Sequence, residues 1–202
     1  MKNIILAVTG ASAQPLAEKA IKLLLRNNYS VYLILSKGSY EVWKAEEGLN
    51  VPTDSAKQQL FWRERVKETG GKLICRRWND NSSEIASGSF KTDAMVIVPC
   101  TMGTLGRIAS GVSHNLIERC ADVHLKEGRP LIIAPRESPL SIIHIDNMKK
   151  LLLAGARIVP PIPAWYSNPR SLDDMITFLI VRLFDSIDAD LDDIERWEGP
   201  IK

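Results

Sequence analysis

Several signatures are missing from this chain of 202 residues. Its three histidines, His114, His124 and His144, have neither HExxH nor HxxxH spacing, and no acidic cluster has metal-loop spacing. A protein-held metal is therefore not expected. There is no GxSxG nucleophile elbow for a serine hydrolase. The three cysteines, Cys75, Cys100 and Cys120, form no CxxC pair and leave an odd thiol, which fits a reducing cytoplasm better than a disulfide scaffold. With 26 basic against 24 acidic residues the net charge is only +2, which argues against a nucleic-acid binder. No stretch approaches the roughly 20 apolar residues of a membrane span; the richest, residues 176–184, is interrupted by Arg182. The N-terminal run Ile4-Ile5-Leu6-Ala7-Val8 is five residues long. A secretory leader core needs about 7–15, so the run reads as a buried strand.

What is present is a globular composition, 45% hydrophobic and 25% charged, at a length suited to one domain. Short apolar runs alternate with helical segments. Strands are expected at Asn3–Val8, Ser30–Leu35, 72–76, 95–98, 131–134 and 157–159, and helices at 13–26, 39–47, 54–69, 104–110, 115–126, 141–153, 171–186 and 190–197. Gly70-Gly71 reads as the stop of the 54–69 helix, and 185–198 as a solvated acidic helix face. Continuous apolar runs such as Met95-Val96-Ile97-Val98 suit parallel strands covered on both faces. The expected fold is α/β: a single-domain, Rossmann-like, doubly wound, mostly parallel sheet flanked by helices, with residues 187–202 as a helical tail. Ligands in such folds sit beyond the strand carboxyl ends.

Three strand exits carry unusual chemistry. Thr9-Gly10-Ala11-Ser12 opens into a helix, where small residues admit a ligand to backbone N–H groups. Ser12 reads as the helix N-cap and Pro15 suits the first turn, yet the full GxGxxG fingerprint is absent, so a plain capped turn stands equally. Pro99-Cys100-Thr101-Met102-Gly103-Thr104 is a second anion cradle or a capping threonine pair; Cys100 reads as a buried thiol rather than a nucleophile. Pro135-Arg136-Glu137-Ser138-Pro139 places a phosphate clamp and a proton carrier side by side, unless the pair is a surface salt bridge. Further along, Ala164-Trp165-Tyr166 offers an aromatic wall or core packing. On the 171–186 helix, Leu172, Met175, Ile176, Leu179, Ile180 and Leu183 form one apolar stripe. Arg182 lies roughly 90° from its centre, either snorkelling or reaching an anion.

Taken in order, Gly10-Ala11-Ser12, Ser87-Gly88-Ser89-Phe90, Val98-Pro99-Cys100-Thr101, Ala121-Asp122-Val123, Leu125-Lys126-Glu127, Arg136-Glu137-Ser138-Pro139-Leu140 and Pro160-Pro161-Ile162-Pro163-Ala164-Trp165-Tyr166 resemble the UbiX-type flavin prenyltransferases. These lie within the homo-oligomeric flavin-containing cysteine decarboxylase superfamily. The resemblance runs over nearly the whole chain, to Ser171-Leu172-Asp173-Asp174. It implies prenyl transfer from dimethylallyl phosphate to N5 and C6 of reduced FMN, without a metal, giving a prenylated flavin for a UbiD-type decarboxylase. It implies FMN contacts from Gly10, Ala11, Ser12, Ser36, Thr101, Met102, Gly103, Thr104 and Arg136, and prenyl-phosphate contacts from Tyr166, Arg182 and a neighbouring subunit's Lys126. Ser12, Glu46, Ser87, Arg119, Lys126, Glu137 and Trp197 match further active-site positions, and a homododecamer follows from the same likeness. Two departures stand out: Thr101-Met102-Gly103-Thr104 where the family often has Ser-x-Lys-Thr, and Ala13-Gln14 where Gly-Ala is common.

Lys126, Arg136 and Arg182 are the cations suited to a departing phosphate, and Tyr166 and Trp197 suit an allyl cation. Glu137 is the favoured base, with Glu46 as the alternative. An FMN-dependent decarboxylase of the same superfamily is the competing reading. Its peptidyl-cysteine members typically use a histidine in the first half of the chain, where this sequence has none before His114. A non-enzymatic FMN carrier is the third.

Overall fold

The computed structural model describes residues 1–187, 189 and 191. Six strands form one parallel sheet: β1 (Asn3–Val8), β2 (Ser30–Leu35), β3 (Lys72–Arg77), β4 (Ala94–Cys100), β5 (Leu131–Pro135) and β6 (Arg157–Ile158). Their order is β3-β2-β1-β4-β5-β6. The chain thus winds outward from β1 in one direction, then from β4 in the other. The strand order reverses between β1 and β4, which places a crevice at their carboxyl ends.

The apolar runs are continuous because both sheet faces are covered. In β1, Ile4, Leu6 and Val8 point into one core, while Ile5 and Ala7 point into the other. The first core is closed by α1 (Gln14–Arg26), α2 (Lys37–Glu47), α3 (Ser55–Val66) and α7 (Leu172–Asp185). The second is closed by α4 (Met102–Ala109), α5 (Leu116–Lys126) and α6 (Ile142–Leu153). Among the described residues, no helix is long and apolar enough to cross a membrane.

The strands and most of the helices lie where the sequence places them, and the differences have local causes. Ser12 is not the cap of α1. Ala13 holds that position at φ 84° with no side-chain cap bond. α3 ends at Val66 because Lys67 turns left-handed at φ 56°. Gly70 and Gly71 do not stop the helix; they let the chain pass tightly against the Leu25 and Tyr29 carbonyls. α4 begins two residues early, capped by Thr101, whose side chain accepts from the Thr104 N–H. On α7 the buried face is Met175, Phe178, Ile180, Val181, Leu183 and Phe184, whereas Leu172 is 75% exposed. The expected stripe omitted Phe178, Val181 and Phe184, and its first member faces outward. The 190–197 helix and the greater part of the 187–202 tail lie outside the described residues.

Candidate active site at the carboxyl edge of the sheet

The exits of β1 and β4 are tied together by Thr9. Its hydroxyl donates to the Pro99 carbonyl at 2.9 Å and accepts from the Thr101 N–H at 2.8 Å. Gln14, fully buried, donates from Nε2 to the carbonyls of Thr9 and Ala11, both at 2.8 Å. The loop is therefore held from inside, by a residue that the sequence marks only as a departure. Gly10 meets Gly38 backbone to backbone: a Cβ on Gly10 would lie 2.9 Å from the Gly38 carbonyl carbon. A side chain there would push apart the two loops that frame the crevice.

A cavity of about 300 Å³ opens at this point. Gly10, Ser36, Lys37 and Gly38 line it from the β1 and β2 exits, and Thr101, Thr104 and Arg107 from the start of α4 and its first turns. Trp78 and Ile117 add apolar wall, and Asn115 a polar edge. Ser36 and Thr101 are both helix N-caps, so the amino ends of α2 and α4 converge on one space. Such ends favour an anion. Of the expected flavin contacts, Gly10, Ser36, Thr101 and Thr104 line this cavity. Ala11 and Met102 are buried in the core, which leaves them only backbone groups to offer. Lys37, Gly38, Trp78, Arg107, Asn115 and Ile117 were missed. The one signal for Gly38 was a small residue just past a strand end; Arg107 becomes visible only when α4 is wound.

A second, smaller cavity of about 160 Å³ lies at the ends of β4 and β5, lined by Val98, Ala134, Val159, the following prolines, Tyr166 and Arg182. Tyr166 stands edge-on to Phe178, with ring centroids 5.6 Å apart. Arg182 pairs with Asp185 at 3.0 Å and remains half-exposed at the cavity wall. Trp165 lines neither cavity and is 77% exposed, so of the expected aromatic pair only Tyr166 lines the cavity, beside Phe178. At the β5 exit, Arg136 donates its N–H to the Cys100 carbonyl at 3.1 Å, which brings it beside Thr101. Arg136 and Glu137 are both exposed. Among the described residues they form no ion pair with each other; Glu137 instead accepts from the Ser138 N–H at 3.1 Å. Ser12 donates to Glu46 at 3.1 Å, joining two residues 34 positions apart.

Other expected residues stand apart. α5 starts at the crevice, where Ile117 lines the larger cavity, and runs back toward the amino edge of the sheet. Lys126 closes that helix, about 14 Å along its axis from Ile117 at 1.5 Å per residue. Ser87, bonded to Ser89 at 2.8 Å, adjoins Gly88, whose missing side chain leaves room for the Glu127 carboxylate. Arg119 pairs with Asp122 at 3.2 Å, two residues past Ile117 and therefore on the opposite face of α5. Ser87, Arg119 and Lys126 line neither cavity of their own chain. Trp197 lies outside the described residues. Burial pushes the thiols of Cys75, Cys100 and Cys120 up to about 12, so none is a thiolate at neutral pH.

The Flavoprotein family model matches residues 1–181. The flavin prenyltransferase UbiX of Synechocystis sp. is 47% identical over 197 residues, covering 97% of this chain and 96% of the relative. The chain belongs to the flavoprotein family, among its UbiX-type members. The flavin prenyltransferase LpdB of Lactiplantibacillus plantarum is 41% identical over 98% of this UbiX-type chain and its own full length. Among solved structures, AnUbiX (PadA1), in complex with FMN and dimethylallyl pyrophosphate, superposes with a TM-score of 0.86 at 37% identity, covering 99% of each chain. A dodecameric FMN-dependent UbiX-like decarboxylase from Escherichia coli O157:H7 superposes at 0.83 with 34% identity, over 98% of this chain and all of that one. The family and the parallel, doubly wound fold are thus as the strand-exit motifs imply.

The residues present fit FMN. Hydroxyls at two helix starts and the Arg107 guanidinium suit a phosphate, while Trp78 and Ile117 suit a planar ring. A volume of about 300 Å³ sits at the lower end of ordinary ligand cavities.

Proposed function

We propose that this chain transfers the dimethylallyl group of dimethylallyl phosphate to N5 and C6 of reduced FMN, releasing phosphate. The observation that carries this reading is the pairing of two cavities on the β4 exit. One is rimmed by helix starts, with hydroxyls and Arg107 beside the apolar Trp78 and Ile117; the other is largely apolar and holds Tyr166 and Arg182. Relatives named as flavin prenyltransferases, 47% and 41% identical over nearly the full chain, support it. Reduced FMN, when bound, supplies the nucleophile.

Gly10, Ser36, Thr101, Thr104 and Arg136 hold the flavin, with Ala11, Ser12, Met102 and Gly103 contributing backbone to the same loops. Arg182 and Arg136 draw the departing phosphate, and the apolar cavity keeps water from the allylic carbon. Tyr166 offers its π face to the prenyl cation. Glu137 takes up the proton released on ring closure; Ser12 orients Glu46, the second carboxylate at the crevice.

Lys126, Ser87 and Arg119 serve the site of a neighbouring copy, because their own cavities lie at the other end or face of α5. A homododecamer, like the E. coli relative, provides such neighbours. We read residues 1–202 as one flavin-binding domain acting in the cytoplasm, with Trp197 on its tail completing the site and a UbiD-type decarboxylase using the product.

Anaerobic incubation with reduced FMN and dimethylallyl phosphate tests the reading. The extracted flavin gains one five-carbon unit by mass, with stoichiometric phosphate release, and Arg182→Ala abolishes the gain. A flavin of unchanged mass, on protein that binds FMN, would replace transfer with the carrier or decarboxylase reading.

A further inference from the structure

Gly103 opens a space at the start of α4, and a different residue fills it. Arg107 lies one helical turn further on, and long side chains on a helix lean back over the preceding turn. Its Nη1 lies 3.5 Å from the point that a Cβ on residue 103 would occupy. A lysine at 103, as in the related Ser-x-Lys-Thr motif, would start against this guanidinium. The two cations therefore compete for one place.

The guanidinium is also fixed in direction. Nε donates to Glu118 Oε1 at 2.5 Å, and Nη2 donates to Thr104 Oγ1 at 3.2 Å. Glu118 is fully buried and is itself held by the His114 N–H at 2.9 Å and Asn115 Nδ2 at 2.8 Å. Arg107 lines the 300 Å³ cavity and Glu118 does not, so the carboxylate stands behind the guanidinium. Nη1 has no protein acceptor among the described residues, leaving a directed pair of N–H donors beside the N-cap of α4.

We propose that Arg107, oriented by Glu118, binds the phosphate of FMN in this chain and replaces the lysine absent at position 103. The inference rests on the flavin reading above and adds a residue that confers preference for FMN over riboflavin. A planar donor held from behind loses little entropy on binding, and hydrogen bonds to a charged phosphate are the stronger class.

Titration of FMN and riboflavin by quenching of flavin fluorescence decides the matter. Arg107→Ala is expected to weaken FMN about tenfold to a hundredfold and to leave riboflavin within about twofold. Adding Gly103→Lys to that variant restores most of the FMN affinity. Equal FMN affinity in wild type and Arg107→Ala overturns the assignment, as does an equal loss for both flavins, which would mean packing alone. If Arg107→Ala fails to fold because Glu118 is stranded, Arg107→Met combined with Glu118→Gln removes both charges, and the same FMN-to-riboflavin ratio is read. Wild-type protein that binds neither flavin would instead overturn the functional reading itself.

Discussion

Ala13 sits at φ 84°, a conformation that an L side chain adopts at a cost of about 1–2 kcal/mol. It stays there because Gln14, immediately after it, is locked to the Thr9 and Ala11 carbonyls. Glycine, having no Cβ, adopts this backbone without that cost. Ala13→Gly should raise stability by about 1 kcal/mol, a rise in Tm of about 2–4 °C by calorimetry. A lower Tm would show that the greater freedom of glycine in the unfolded chain outweighs the relieved strain. The same loop shows how far single residues are legible. Ser12 has the chemistry of a cap, but its hydroxyl turns to Glu46, a partner that no local pattern reveals.

α5 is fastened to the segment before β4 by His124, buried, with Nδ1 on the Cys120 carbonyl at 2.8 Å and Nε2 on the Thr92 hydroxyl at 3.1 Å. Burial lowers its pKa from 6.5 to about 4, with the nearby Arg129 acting in the same direction. The unfolded chain therefore binds the proton more readily. Stability from this group is complete above about pH 6.5 and declines as pH falls toward 4. Urea midpoints at pH 7 and pH 4.5 should differ more for wild type than for His124→Gln. Equal differences would remove His124 from the acid response. Element boundaries were legible wherever a cap or a charge break was local, as at Ser141 and Ser171, each of which forms a capping box. They were misplaced where a left-handed residue such as Lys67 ended the helix, because nothing in its side chain announces that turn.

At the scale of the whole molecule, α6 leaves an apolar face without a partner among the described residues: Ile142 is 71% exposed, Ile143 67% and Leu153 80%. Exposed apolar area of this kind mostly marks an interface. Together with Ser87 and Lys126 lying away from their own crevice, it fits a chain whose sites are completed between copies. Ile143→Glu with Leu153→Glu should shift sedimentation toward smaller species and reduce prenyl transfer, since Lys126 would then reach no neighbour. An assembly of wild-type size in that variant would place the interface elsewhere.

Alternation of apolar runs with helical segments, the small residues after β1 and the charged pair after β5 were all written locally, so the sequence alone determined the fold class and the end of the sheet that carries the chemistry. Which exits meet was decided only by tertiary structure. The strand order brings Thr9 to Pro99 and Thr101, loop contact sets Gly10 on Gly38, and the pitch of α4 turns Arg107 back over Gly103. Contacts between distant segments depend on how the sheet is wound, and no short stretch of side chains encodes that winding.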